Sequence, residues 1–132
     1  MSNIFLRLSV LFVVLGVSLG YYMGATHDFT VSPVHAHINL LGWVSMFLYG
    51  LFYRAFPEAA QGWLPKAHLT LAAIGLPVMM IGLTIAVLQI KSLLALSQIL
   101  LMAGPTLVVL GMVVWAVIVF RATGGKSAAA AA

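Results

Sequence analysis

The chain has 132 residues, of which 64% are hydrophobic and only 6% are charged. A soluble domain of this size needs more polar side chains to cover its surface, so the composition indicates a protein whose solvent is a lipid bilayer. The absence of cysteine excludes disulfides, thiolate metal sites, iron–sulfur clusters and covalently attached c-type haem.

Four apolar runs follow one another along the chain, at about residues 7–24, 34–54, 68–90 and 93–120. Each is close to the roughly 20 residues that an α-helix needs to cross the hydrocarbon core. The runs therefore predict an all-α integral membrane protein, a four-transmembrane-helix bundle within residues 1–123. The last residues, 124–132, read GGKSAAAAA and predict a flexible tail.

Four prolines indicate where two of these helices start and where two of them bend. Pro33 and Pro65 stand just ahead of the second and third runs, where a missing N–H costs little, and Ser32 is placed to cap the second helix. Pro77 and Pro105 lie inside the third and fourth runs and predict kinks.

The few charged residues predict the orientation, because five of the six basic residues fall at the same end of the predicted bundle. The positive-inside rule places that end, and both termini, in the cytoplasm, so that the other end faces the periplasm or the exterior, and we expect the membrane to be a bacterial inner membrane. The formal charge of +4 then needs no nucleic-acid partner. The inner end carries Arg7, Arg54, Lys66, Arg121, Lys126 and Glu58, and the outer end carries Asp28 and Lys91.

Glycines recur at every fourth position of the first run, at Gly16, Gly20 and Gly24. Such a stripe lets a neighbouring helix approach closely, either within one chain or between two copies. Because four helices make a thin bundle, we expect a homo-oligomer.

The second run opens with SPVHAHINLLGW, residues 32–43, which puts His35 and His37 at the outer end. Residues two apart on a regular helix point about 200° apart, so the two imidazoles cannot bind one ion and predict two different sites. His68 lies at the opposite end, about 25 Å away along the helix direction. It is therefore excluded from the site that His35 or His37 would form.

The two faces of the second helix differ in character. The face of His35 is polar and small, whereas His37 stands above an aliphatic wall. A flat apolar macrocycle with an axial coordination position suits that wall better than a hydrated cation, which needs oxygen ligands. The His35 face continues with Asn39, Gly42, Met46, Tyr49 and Tyr53, and the His37 face with Leu41, Val44, Leu48 and Leu51.

We therefore predict a haem site with His35 and His37 as the metal ligands and with Asn39, Leu41 and Val44 as further cofactor-binding residues. No residue is assigned a catalytic role, and copper is the less favoured metal. Two alternatives stay open. One is a haem-free structural or assembly protein whose histidines hydrogen-bond between helices. The other is a small carrier of metal ions or protons with an outer-face site formed by His27, Asp28, His35 and His37.

The two remaining histidines receive simpler interpretations. His27 is expected to be a solvated residue of the loop between the first two helices. His68 stands beside Lys66 at the predicted inner boundary, and we expect it to be an interfacial or structural histidine.

The stretch VHAHINLLGW, residues 34–43, resembles the haem-ligand segments of subunit I of the haem-copper oxidase superfamily, where an H-F-H element turns its histidines to two different haems. That subunit has twelve helices in three arcs of four, with ligand histidines on the second helix of each arc near the periplasmic side. A four-helix chain with histidines at the outer end of its second helix is similar to one such arc.

The resemblance implies that His35 and His37 are axial ligands of a b-type haem. It further implies a trimer that rebuilds the twelve-helix scaffold, with His35 of one protomer and His37 of the next on either side of a haem; a twofold dimer is the second geometry. The chain departs from the family in lacking three copper-ligating histidines, an evident His–Tyr pair and an acidic residue inside the membrane. The implied function is electron transfer or redox or gas sensing, rather than oxygen reduction.

Overall fold

The computed structural model describes residues 1–124, and within these residues the protein is helical throughout, with no β-strand. The predicted tail lies outside the described residues except for Gly124, which ends the last helix. The segments are α1 (Ser2–Thr26), α2 (Ser32–His37), a π-helix (Ile38–Ser45), α3 (Met46–Ala55), a 3-10 helix (Pro57–Ala60), α4 (Leu64–Val87), a 3-10 helix (Lys91–Leu93) and α5 (Leu94–Gly124).

Three helical stretches are long and apolar enough to cross a membrane, as judged by length and composition: Ser2–Thr26, Leu64–Val87 and Lys91–Gly124. The second predicted span is present as an uninterrupted helical run over residues 32–55, but its hydrogen-bonding pattern changes twice along the way. Many large apolar side chains face outward from the bundle, which is the arrangement expected of a chain that lipid surrounds. The fold is that of a helical membrane protein.

The helices begin earlier than the apolar runs suggested. The first helix starts at Ser2 rather than residue 7, and α4 starts at Leu64 rather than residue 68. Pro33 and Pro65 therefore lie inside the first turn of their helices and not ahead of them. The reason is that a first-turn proline is already compatible with helical backbone, so polar residues beside it can belong to the helix.

The predicted cap at Ser32 is wrong. Val31 occupies the N-cap position, and no side chain makes a capping hydrogen bond there. The Ser32 hydroxyl instead lies 3.8 Å from the sulfur of Met23, so it joins the second helix to the end of α1.

A π-helix replaces regular α-helix directly after the two outer histidines, over Ile38–Ser45. Within this segment the Ser45 hydroxyl donates a hydrogen bond of 2.8 Å to the main-chain carbonyl of Leu40. Gly42 lies at the centre of the segment, and a Cβ there would meet the ring of Phe12 at 2.6 Å. The glycine therefore lets α1 pack directly on the π-helix, a kind of segment that is frequent at functional sites.

Glycines also allow α4 and α5 to pack closely along their length. A Cβ at Gly75 or Gly82 would lie 3.0 Å or less from atoms of α5. Ser97 adds a polar contact, since its buried hydroxyl donates to the Gly82 carbonyl at 2.8 Å. Pro77 and Pro105 stand within these two uninterrupted helices, and the kinks expected at them stay a prediction.

Candidate functional site

His35 is half-buried between the second helix and α1. Its Nδ1 lies 2.9 Å from the main-chain oxygen of Gly16. A carbonyl oxygen can only accept, so Nδ1 carries the proton and donates it. The Asn39 amide nitrogen lies 3.3 Å from the same ring atom, but it has a better acceptor in the His35 carbonyl at 2.9 Å. The second ring nitrogen of His35, Nε2, consequently keeps a free lone pair.

The glycines of α1 make room for this arrangement. A Cβ at Gly20 would lie 2.8 Å from Cε1 of His35, and a Cβ at Gly16 would lie 2.5 Å from the Asn39 side chain. At Gly24 nothing stands within 4 Å. Two of the three stripe glycines therefore serve a contact within the chain, which was one of the two uses that the sequence left open.

His37 has a different hydrogen-bond partner from His35. Its Nδ1 lies 2.7 Å from the main-chain oxygen of Pro33, one turn earlier in the same helix. The same donor argument gives His37 a protonated Nδ1 and a free lone pair on Nε2. The structure brings His35 together with Asn39 against α1, and it does not bring His37 to that contact.

The residues that regular helical spacing predicts below His37 are largely exposed to the surroundings of the bundle. Val44 is 40% exposed and Leu48 is 54% exposed, and Leu51 is similar. Leu41 is the exception, because it is partly buried and packs against the core. The predicted cofactor-binding residues Leu41 and Val44 therefore have unequal access to a ligand, and Val44 is the more available.

The outer loop holds the other residues of the alternative ion site. His27 is exposed and ends α1 in a left-handed conformation with φ of 55°, as expected for a loop residue. Asp28 accepts hydrogen bonds from the Thr30 hydroxyl and main-chain N–H at 2.6 and 2.9 Å, and these bonds lower the pKa of Asp28. Across residues 1–124, no three His, Cys, Asp or Glu side chains gather into a group that could hold a metal ion.

His68 is fully buried at the inner end of the bundle, so its predicted interfacial position is wrong, although a structural role fits. Because α4 begins at Leu64, His68 lies one turn inside the helix. Its ring centroid is 4.5 Å from that of Tyr49, 5.0 Å from that of Phe5 and 5.3 Å from that of Trp115. These rings enclose the imidazole from several directions.

A His–Tyr pair exists at this end, although none was evident from the sequence. Nδ1 of His68 lies 3.0 Å from the Tyr53 hydroxyl oxygen, and both side chains are buried. Nε2 of His68 is buried and has no hydrogen-bond partner among the described residues. Beside it, a cavity of about 20 Å³ opens between Met46, Tyr49 and Met112. We call Phe5, Tyr49, Tyr53, His68 and Trp115 the inner aromatic cluster.

The sequence contained one signal for this cluster. Tyr49 and Tyr53 are four residues apart and thus share a helix face, and Pro65 marks the first turn of α4. Placing the helix start at that proline would have put His68 in the interior and made a contact with the tyrosine face predictable.

Comparisons with protein families, with curated proteins and with solved structures found no match to this chain. The resemblance to subunit I of the haem-copper oxidases therefore depends on the residues quoted above. Function has to be argued from the two outer histidines and their surroundings.

Proposed function

We propose that the chain is a b-type haem-binding membrane protein that serves electron transfer or redox or gas sensing. The observation that carries the proposal is the shared hydrogen-bonding state of His35 and His37. Each imidazole donates Nδ1–H to a main-chain carbonyl, and each keeps the lone pair of Nε2. This is the state in which a histidine binds a metal, because the second hydrogen bond fixes the tautomer and the ring orientation.

The surroundings fit haem better than a bare cation. The exposed Val44, Leu48 and Leu51 side chains, which helical spacing predicts below His37, offer an apolar surface, and no carboxylate stands among residues 32–55. A bound haem would supply a one-electron couple at its iron. His37 would bind the iron through Nε2, its ring would be oriented by the hydrogen bond to the Pro33 carbonyl, and the apolar side chains would keep water from the site.

Oligomerisation supplies the second ligand in this proposal. His35 and His37 use different hydrogen-bond partners, and a regular helix turns them about 200° apart, so one chain does not offer both to one iron. His35 is only half-buried, so a neighbouring protomer can reach it. We propose a trimer first and a dimer second, with residues 32–55 as a fourth membrane span and both termini in the cytoplasm of a bacterial inner membrane.

One contact favours a second candidate. The bond from His35 to Gly16 joins the second helix to α1 and is sufficient reason to keep a histidine there, as in a haem-free structural or assembly protein. That candidate gives no reason for His37, whose bond lies within its own helix.

The deciding experiment is the visible spectrum of the detergent-purified protein, supplied with excess haem, before and after dithionite. Haem with two imidazole ligands gives a Soret band that shifts on reduction. Co-expression of His35→Ala and His37→Ala chains should recover part of the haem that either variant lacks alone, because some interfaces again hold one intact histidine of each kind. Wild-type protein without haem would remove the proposal and leave the structural candidate.

A further inference from the structure

An open groove of about 360 Å³ lies at the inner end of the bundle, where the 3-10 helix Pro57–Ala60 meets the start of α4 and the end of α5. None of its lining residues belongs to the proposed haem site. Pro65 and Ile118 are buried and form an apolar floor, with Leu64 and Phe56 beside them.

Two opposite charges stand at the rim of this groove, the Glu58 carboxylate and the Arg121 guanidinium. Both side chains are exposed, and among residues 1–124 they do not form an ion pair with each other or with another side chain. Glu58 is one of only two acidic residues in the whole sequence, and the other, Asp28, is at the opposite end. A carboxylate in this position is therefore an unusual feature of this chain.

The groove lies at the level where lipid headgroups are expected. It adjoins the first turn of α4, one of the helices long enough to span a membrane, and the neighbouring Trp63 is 72% exposed, as is typical of aromatic residues at a membrane interface. Basic pockets between membrane helices on the cytoplasmic side bind lipid headgroups, and this groove sets a carboxylate beside its one basic residue. The apolar floor would take the first part of an acyl chain, which a water-soluble phosphate compound lacks.

We propose that this groove binds phosphatidylethanolamine. The lipid phosphate accepts hydrogen bonds from Arg121, whose planar guanidinium suits a phosphate. The primary ammonium donates to the Glu58 carboxylate. Phosphatidylcholine has the same charges but no N–H on its quaternary nitrogen, and phosphatidylglycerol has no cation to place at Glu58. The pair of rim charges thus selects one headgroup among three common ones.

The test is native mass spectrometry of the detergent-purified full chain with dioleoyl forms of the three lipids in turn. We expect the wild type to retain phosphatidylethanolamine about two- to fivefold better than either competitor, the size typical of one exposed charged contact. Glu58→Gln should abolish this preference, and Arg121→Gln should weaken retention of all three lipids.

Arg54→Gln is the matched control, since Arg54 is an exposed basic residue at the same end that does not line the groove. It should leave lipid selectivity unchanged, and circular dichroism should show equal helix content in every variant. Equal retention of the three lipids by the wild type would overturn the proposal. So would a loss of preference in Arg54→Gln as large as that in Glu58→Gln.

Discussion

The two ends of the helix bundle hold histidine side chains in opposite ways. At the outer end, His35 and His37 are half-buried, and each uses one ring nitrogen for a main-chain carbonyl and leaves the other open. At the inner end, His68 is sealed among aromatic rings, with Tyr53 on one nitrogen and nothing on the other. An open, oriented lone pair suits a ligand from outside, whereas a sealed imidazole suits packing.

The two ends also differ in the free-energy cost of an imidazole nitrogen that lacks a hydrogen-bond partner. A polar atom at the outer end can exchange partners with water or a cofactor, so leaving Nε2 open costs little. A buried polar atom without a partner costs about 1–3 kcal/mol, and the inner aromatic cluster has to offset that cost by packing and by the bond to Tyr53. We therefore expect outer substitutions to change ligand binding and inner substitutions to change stability.

The largest effect should come from His37→Ala, which removes the one nitrogen above the aliphatic wall. We expect complete loss of the Soret band per mole of protein, measured in detergent after addition of excess haem. His68→Ala is the comparison at the inner end and should keep the wild-type spectrum while lowering yield. A Soret band lost in His68→Ala and retained in His37→Ala would reverse the assignment of the two ends.

Gly20→Ala should produce the next effect, because the new Cβ would lie 2.8 Å from the His35 ring and force that ring to move. Disturbing the support of a metal ligand typically costs about 10- to 100-fold in affinity, and we expect haem affinity to fall by that amount. Gly24→Ala is the matched control, with open space around its Cβ. Titration with haem measures both, and equal affinities would show that His35 is not a ligand.

Much of this architecture could be predicted from the sequence, and the exceptions have physical reasons. Helix number and the buried face of Met46, Tyr49 and Tyr53 follow from apolar length and helical period, which lipid imposes strongly. The π-helix was not predictable, since it depends on Phe12 of another helix packing over Gly42. His68 was misplaced because the helix start was assigned to the first apolar residues rather than to the turn containing Pro65.

A smaller effect is expected from Tyr53→Phe, which leaves Nδ1 of His68 without its partner. We expect the unfolding free energy in detergent to fall by about 1–3 kcal/mol, with the spectrum of any bound haem unchanged. Tyr21→Phe is the control, because Tyr21 is exposed and should cost less than about 0.5 kcal/mol.

The double variant Tyr53→Phe, His68→Leu tests the cause of that loss. Removing both partners also removes the unpaired polar atoms. The double variant should therefore lose less unfolding free energy than the sum of the losses in Tyr53→Phe and His68→Leu alone. Strict additivity would mean that the hydrogen bond of 3.0 Å does not couple the two side chains.

The smallest effect concerns the outer loop and separates the haem proposal from the ion-carrier alternative. Bonds from Thr30 lower the pKa of Asp28 below its usual 3.8. A carboxyl group with a lowered folded-state pKa stabilises the fold above the unfolded pKa, and this contribution is lost as the pH falls through the folded pKa. Asp28→Asn should therefore be slightly less stable than the wild type at pH 6, and the difference should shrink below about pH 4. Thermal unfolding in detergent across this pH range measures the difference in stability, and Thr30→Ala should show a smaller effect of the same kind as Asp28→Asn.

Because Asp28 is exposed and already bonded to Thr30, Asp28→Asn should leave haem content and zinc binding at wild-type levels. A loss of zinc binding in Asp28→Asn would instead favour an ion site at the outer end.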